Sequence, residues 1–162
     1  MSADIAAQAR IRRAERSDAF ALAALHLQDD REQGAAPRPG FLDEWAQAWL
    51  DSSDHRLAWL AESHDGRPLG VASVVRVQKL PSLRRATTQW WHLSLLFVCT
   101  DARGARLGER LLRTMLGAAA SEHPHVDLIQ LHAVEEARGL YERVGFRGAR
   151  DGLLELRLDG RA

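Results

Sequence analysis

One stretch of this 162-residue chain has the residue types and spacing for anion chemistry: Leu95-Leu-Phe-Val-Cys-Thr-Asp-Ala-Arg-Gly-Ala-Arg-Leu-Gly-Glu-Arg-Leu-Leu112. An apolar strand runs into a short polar turn, and the turn runs into Arg103-Gly-Ala-Arg-Leu-Gly108, which opens an amphipathic helix. A helix start carries unpaired N–H groups and the positive end of the helix dipole, so it holds phosphate. Gly104 and Gly108 let the backbone approach an anion closely. The glycine spacing matches neither a Walker loop nor a dinucleotide fingerprint, so the sequence predicts a pyrophosphate cradle of another kind.

Other reactive side chains fit less well into a site. His123-Pro-His125 and His132 have no carboxylate or thiol cluster at ligand spacing, so no metal is expected. Cys99 is the only cysteine, which excludes an internal disulfide and any multi-cysteine metal site. It reads as a small residue at a strand end.

The elements that must position the cradle follow from periodicity. Residues 1–9 read as a loose start, and 10–162 as a single domain. Arg10 to Ala14 suits a short strand. Ser17 offers a helix N-cap with Asp18 in the first turn, and Leu22 and Leu25 give a modest helical face through about Gln28. After a Gly- and Pro-rich loop, Phe41, Trp45 and Trp49 recur every four residues on a second helix. Arg56–Glu62 and Leu69–Val77 make a hairpin around His64-Asp65-Gly66, and Leu80–Thr88 is a polar connection. Gln89–Val98 is a long strand, whose alternation predicts His92, Ser94, Leu96 and Val98 on one face.

The second half changes rhythm. Leu107, Leu111, Leu112, Met115, Leu116 and Ala119 fall at helical spacing. Val126–Ala133 reads as a buried strand and Glu135–Val144 as a helix stopped by Gly145 in the C′ position. Leu154, Leu156 and Leu158 alternate with Glu155 and Arg157 in a final strand. The order predicts an α/β (α+β) mixed sheet flanked by helices.

Two motifs, in this order and separated by about thirty residues, resemble the GNAT superfamily of acyl-CoA-dependent N-acyltransferases. Arg103-Gly-Ala-Arg-Leu-Gly108 is similar to that family's Arg/Gln-x-x-Gly-x-Gly/Ala loop. Ala137-Arg-Gly-Leu-Tyr-Glu-Arg-Val-Gly-Phe146 is similar to its Ala-x-x-Leu-Tyr-x-x-x-Gly-Phe signature. The close similarity covers about Leu93 to Phe146. The resemblance implies a mostly antiparallel sheet splayed between two parallel strands, here 92–98 and 127–133, with acetyl-CoA bound across them and no metal.

The cosubstrate-binding residues it implies are Phe97 and Val98 on the open strand edge, Arg103, Gly104, Ala105, Arg106, Leu107, Gly108 and Glu109 in the loop and first turn, and Val134 and Tyr141 beyond. The pantetheine arm would pair with the edge as an added strand does. A backbone N–H near Val98 would polarise the thioester carbonyl.

Tyr141, the only tyrosine, matches the residue that protonates the departing thiolate in many members. His92, sharing a face with Val98 by strand parity, stands near the position of the family's base; a structural histidine is the alternative. Ser94 would position a water, and Glu62 is a further candidate base.

The sequence departs from the family at two positions. Arg106 replaces the loop's first glycine, which is tolerable at negative φ with Cβ turned from the phosphates; its guanidinium would then reach a CoA phosphate, the alternative being that it partly crowds the cradle. Val134 stands where many members have Asn, removing one polar contact.

The implied activity is direct acetyl transfer to a primary amine of a small molecule or peptide. A non-catalytic acyl-CoA-binding module is the alternative. Trp45 and Trp90 suit an apolar acceptor pocket, and the other tryptophans suit core or dimer contacts, a homodimer being common among relatives. Composition adds exclusions. Lys and Arg total 22 against 22 Asp and Glu, and Lys79 is the only lysine. Zero net charge argues against a nucleic-acid partner. No basic n-region opens the chain and no apolar run approaches the ~20 residues of a membrane span. A cytoplasmic protein with no membrane partner is the expectation.

Overall fold

The computed structural model describes residues 2–84 and 86–148. They fall in two compact units, Met1–His132 and Ala133–Ala162. Arg85 and the expected final strand around Leu154–Leu158 lie outside the described residues.

Five strands of the first unit are described: β1 (Arg10–Arg13), β2 (Arg56–Glu62), β3 (Pro68–Gln78), β4 (Gln89–Val98) and β5 (Val126–Gln130). They form one sheet in the order β1-β2-β3-β4-β5, antiparallel except for the parallel pair β4–β5. The helices are α1 (Ser2–Ala7), α2 (Ala19–Glu32), α3 (Phe41–Asp51), α4 (Leu107–Glu122) and, in the second unit, α5 (Glu135–Arg143). The bounds of β2 and β4 are those the sequence predicts. β5 stops at Gln130, three residues short of expectation.

The sheet's two faces carry different helices. Leu57, Trp59, Val74, Ala72 and Gly70 share one face through their cross-strand pairing. Here α4 packs: Leu107, Leu111, Leu112 and Met115 are each no more than 1% exposed. Burying each such side chain is worth roughly 1.5–3 kcal/mol. Gly70 is required by this packing and by its pairing with Val98. A Cβ there would stand 2.7 Å from the Phe97 carbonyl oxygen and 3.3 Å from Leu111 Cδ1. Backbone cannot retreat as a flexible side chain can. Gly70→Ala is therefore expected to cost about 1–3 kcal/mol, measured as a lower urea midpoint at unchanged m-value.

Two corrections concern the N-terminal region. Residues 1–9, expected as a loose start, carry α1. Arg110 of α4 explains it: its guanidinium donates to the carbonyls of Ala6 (2.8 Å), Ala7 (3.0 Å) and Ala9 (2.6 Å). Ala6 and Ala7 are the last residues of α1, where a cation suits the negative end of the helix dipole. Next, Ser17 is not the N-cap. Residues Arg16–Asp18 form a 3₁₀ turn, and Asp18 precedes α2, which runs four residues past Gln28 to Glu32.

Asp18 has a different task. It accepts two bonds from Arg12 (2.7 and 2.8 Å) and one from the Glu15 N–H (2.7 Å). Arg12 also donates to both oxygens of Glu62, at 3.0 and 2.6 Å. The Arg12 guanidinium holds the Asp18 carboxyl below the usual carboxylate range. A depressed folded pKa means that the unfolded chain binds the proton first. The stabilisation is complete above the unfolded pKa, ~4, and fades as pH falls through the folded value. Asp18→Asn is expected to lower stability at pH 7 by about 2 kcal/mol and to flatten the acid limb of a Tm-against-pH curve.

Candidate active site

Strand β4 is not a continuous alternation. Ser73 pairs with Leu95 while its neighbour Val74 pairs with Leu93, so Ser94 is one residue too many and forms a β-bulge. The bulge reverses the side-chain parity beyond it. His92 lies opposite Val75, and Leu95 and Phe97 lie opposite Ser73 and Val71. His92 therefore shares its face with Leu95 and Phe97, not with Val98, which corrects the parity expected from sequence. The Ser94 hydroxyl is engaged, donating to the Ser73 carbonyl at 3.1 Å. Glu62 is held by Arg12, so its carboxylate is structural.

The parallel pairing of β4 with β5 runs from Gln89–Val126 to His92–Gln130 and ends there. From Leu93 to Val98 no described strand pairs with β4 on that side. The Cys99 N–H donates to the Leu69 carbonyl of the β3 side at 2.9 Å. Successive residues of a strand direct their backbone groups to opposite edges. Val98 and Leu96 thus face the open edge, whereas Phe97 turns its backbone to β3. Leu96 is the edge residue that sequence reading missed, and Phe97 contributes instead a ring, 3% exposed, beneath the Arg103 guanidinium at 5.7 Å.

The edge leads through a 3₁₀ turn, Thr100–Ala102, to the loop before α4. The N–H groups of Ala105, Arg106, Leu107 and Gly108 find no acceptor among the described residues; the first backbone bond back into the loop is Arg110 N–H to the Arg106 carbonyl, 3.1 Å. Gly104 takes φ 87°, and nothing lies within 4 Å of where its Cβ would be. This is a concentration of donors at the positive end of a sixteen-residue helix.

Charges around the loop are arranged to leave that potential intact. Asp101 is paired with Arg67 at 2.9 Å, and Glu109 accepts from Arg113 at 2.8 and 3.0 Å. Arg103 donates to the Val98 carbonyl (2.8 Å) and to Glu32 of α2 (2.5 Å), whose other oxygen takes the Thr100 hydroxyl. Arg103 therefore clamps the loop to the strand and to α2. The Arg106 side chain, exposed, has no ion pair or hydrogen bond among the described residues. Arg106 adopts φ 55°, ψ 24°, the one described non-glycine residue in the left-handed region. The negative φ that made a side chain here tolerable is thus not met: the backbone takes a conformation that favours glycine although the residue is Arg.

His92 is half-buried, and burial, then the charge of His132, pushes its pKa below the usual imidazole range. The two rings meet edge to face, centroids 5.6 Å apart. Trp45 stacks on His26 at 4.4 Å rather than on Trp90, which stands half-buried at the start of β4. Burial pushes His26 down to about 4, with Asp30 opposing and Arg56 reinforcing. The Cys99 thiol is buried against Gln28 and pushed up by that burial, so it is no nucleophile.

The second unit shows why its signature has its spacing. Gly145, at φ 106°, stops α5. The Gly145 N–H donates to the Glu142 carbonyl (3.1 Å) and the Phe146 N–H to the Tyr141 carbonyl (3.0 Å). This is the two-bond left-handed stop, with its usual apolar contact supplied by the Tyr141 and Phe146 rings, 5.9 Å apart. Burial raises the Tyr141 phenol above its ordinary value. Val134 is the N-cap of α5, without a side-chain bond, and is 65% exposed.

Comparison with known proteins assigns the class. The acetyltransferase (GNAT) domain model matches residues 27–153, and the chain belongs to that family. Acetyl transfer in general is the chemistry that membership carries. A search of curated proteins gives no match. Among solved structures, a predicted acetyltransferase with acetyl-CoA from Clostridium acetobutylicum has TM-score 0.74 at 18% identity, covering 92% of this chain and 96% of its own. A Trypanosoma brucei acetyltransferase has TM-score 0.68 at 24% identity, covering 93% and 99%. Glucosamine-6-phosphate N-acetyltransferase from Arabidopsis thaliana has TM-score 0.68 at 18% identity, covering 91% and 97%. These likenesses establish the fold. Among the described residues no helix is long and apolar enough to cross a membrane, and no group of three His, Cys, Asp or Glu is placed to hold a metal.

Proposed function

We propose that this protein moves an acetyl group from acetyl-CoA to a primary amine of a small molecule or peptide by direct attack. One observation supports it most: the open β4 edge at Leu96 and Val98 runs into the unaccepted amides of Ala105 to Gly108. An extended chain ending in a diphosphate fits that sequence of groups. The space at Gly104 and the freedom of Arg106 agree with an anion there. Acetyl-CoA, when bound, supplies an acyl group activated as its thioester.

The chain's own residues do the rest. The Val98 N–H donates toward the carbonyl oxygen on which charge develops. The amides before α4 and the Arg106 guanidinium hold the diphosphate. His92, kept neutral at pH 7, takes the proton of the attacking ammonium. Tyr141, kept protonated, donates to the leaving sulfur.

Calorimetric titration with CoA tests the first half. Binding in the micromolar range is expected; none at high micromolar concentration refutes the reading. Thiol release from acetyl-CoA with a broad amine panel tests the second half. A second reading, an acyl-CoA-binding module without turnover, is favoured by Val134, which offers no polar contact where many family members have Asn. CoA binding with no thiol release across the panel would establish it.

A further inference from the structure

The two imidazoles at the point where β4 and β5 part form a unit. β4 and β5 last pair at His92 and Gln130. Two residues on, the chain brings the His132 ring edge to face against His92. His92 is half-buried between strands, whereas His132 is exposed. The residues beside His92 in the sheet, Val75 and Gln130, do not titrate. Of the charged groups among the described residues, only His132 acts on it.

We propose that His132 is a positioning residue for the base: the two rings meet where β4 and β5 part, and His132 carries to solvent the proton that His92 removes from the acceptor. This rests on the reading of His92 as base. Two imidazolium ions at this separation repel, so the second proton is admitted only at lower pH. The inner ring is therefore neutral when an ammonium arrives. When His92 takes a proton, the outer ring receives it directly or through one water and releases it to bulk. No other reactant is needed; one N–H bond breaks as another forms.

The experiment is a ring-nitrogen NMR titration of the full chain, free and with CoA, in the native protein, His132→Gln and His92→Gln. The native His92 should titrate below the usual imidazole range in two coupled steps. In His132→Gln its midpoint should rise, with a single step. An unchanged His92 curve in His132→Gln overturns the proposal. Kinetics with any amine accepted in the thiol-release panel supply the second measurement. His132→Gln should lower kcat about tenfold in weakly buffered solution, with free imidazole restoring it. A loss that added imidazole does not restore also overturns the proposal. If instead His92→Gln keeps full kcat and the native pH profile, the base assignment fails while the coupled titration stands, so the two failures are distinct.

Discussion

Tyr141→Phe should lower kcat about 100-fold while leaving CoA affinity unchanged. The substitution removes one oxygen and little else. Phe keeps the edge contact with Phe146, and both backbone bonds of the α5 stop involve main-chain atoms. Folding stability should therefore stay within about 0.5 kcal/mol, which separates a chemical role from a structural one. The direction of the phenol's pKa sharpens the test. Burial raises it above the ordinary ~10, so the acid form persists through neutral and mildly alkaline pH. With His92 as the proposed base, a fall in rate on the acid side would be its own, and Tyr141→Phe should lower the plateau without moving that limb. Stopped-flow thiol release over pH 5–9 would measure both; equal rates in the two proteins remove Tyr141 from the role.

Arg106→Gly should move stability and affinity in opposite directions. A side chain in the left-handed region costs roughly 1–2 kcal/mol, and glycine adopts φ 55° without that cost. Unfolding should shift to higher urea by about 1 kcal/mol, after the added freedom of glycine in the unfolded chain is offset. The guanidinium has no described partner, so its loss breaks no bond in the free protein. If it contacts a phosphate, its removal eliminates a charge-assisted bond and weakens CoA binding about tenfold or more. That loss should shrink in high salt. A variant both more stable and equally tight would show that Arg106 points away from the diphosphate. Strain kept at one loop residue is best explained by function when the strained side chain is also the one with nothing else to hold.

Much of this arrangement was legible from residue order. β2 and β4 were placed because each is an apolar run of strand length bounded by polar or turn residues. The glycine at 145 marked a left-handed helix stop, and it takes that conformation. What the sequence hid was information held across the fold. Leu93, Leu95, Leu96 and Phe97 are apolar on both faces, so nothing marks Ser94 as an inserted residue. Only the register with β3 reveals it, and the identity of His92's neighbours changes with it. The order of residues 2–7 depends on Arg110, about a hundred positions away. The left-handed backbone at Arg106 was not legible, because local sterics favour negative φ for any non-glycine residue. The pairing of Trp45 with His26 likewise arises between two helices whose spacing in sequence does not determine their contact.

The way α5 ends limits which changes in chain length this segment tolerates. Tyr141 is both the third residue from the helix end and the acceptor for the Phe146 N–H. One residue inserted between positions 141 and 145 would turn the ring by roughly 100° about the helix axis and separate it from Phe146. Substitutions at Glu142 or Arg143, whose side chains are exposed, should be absorbed easily. Insertions and deletions there should not. A library of single-codon indels scored for acetyl transfer would find a four-position gap in tolerance at this turn, though the residues inside it vary freely.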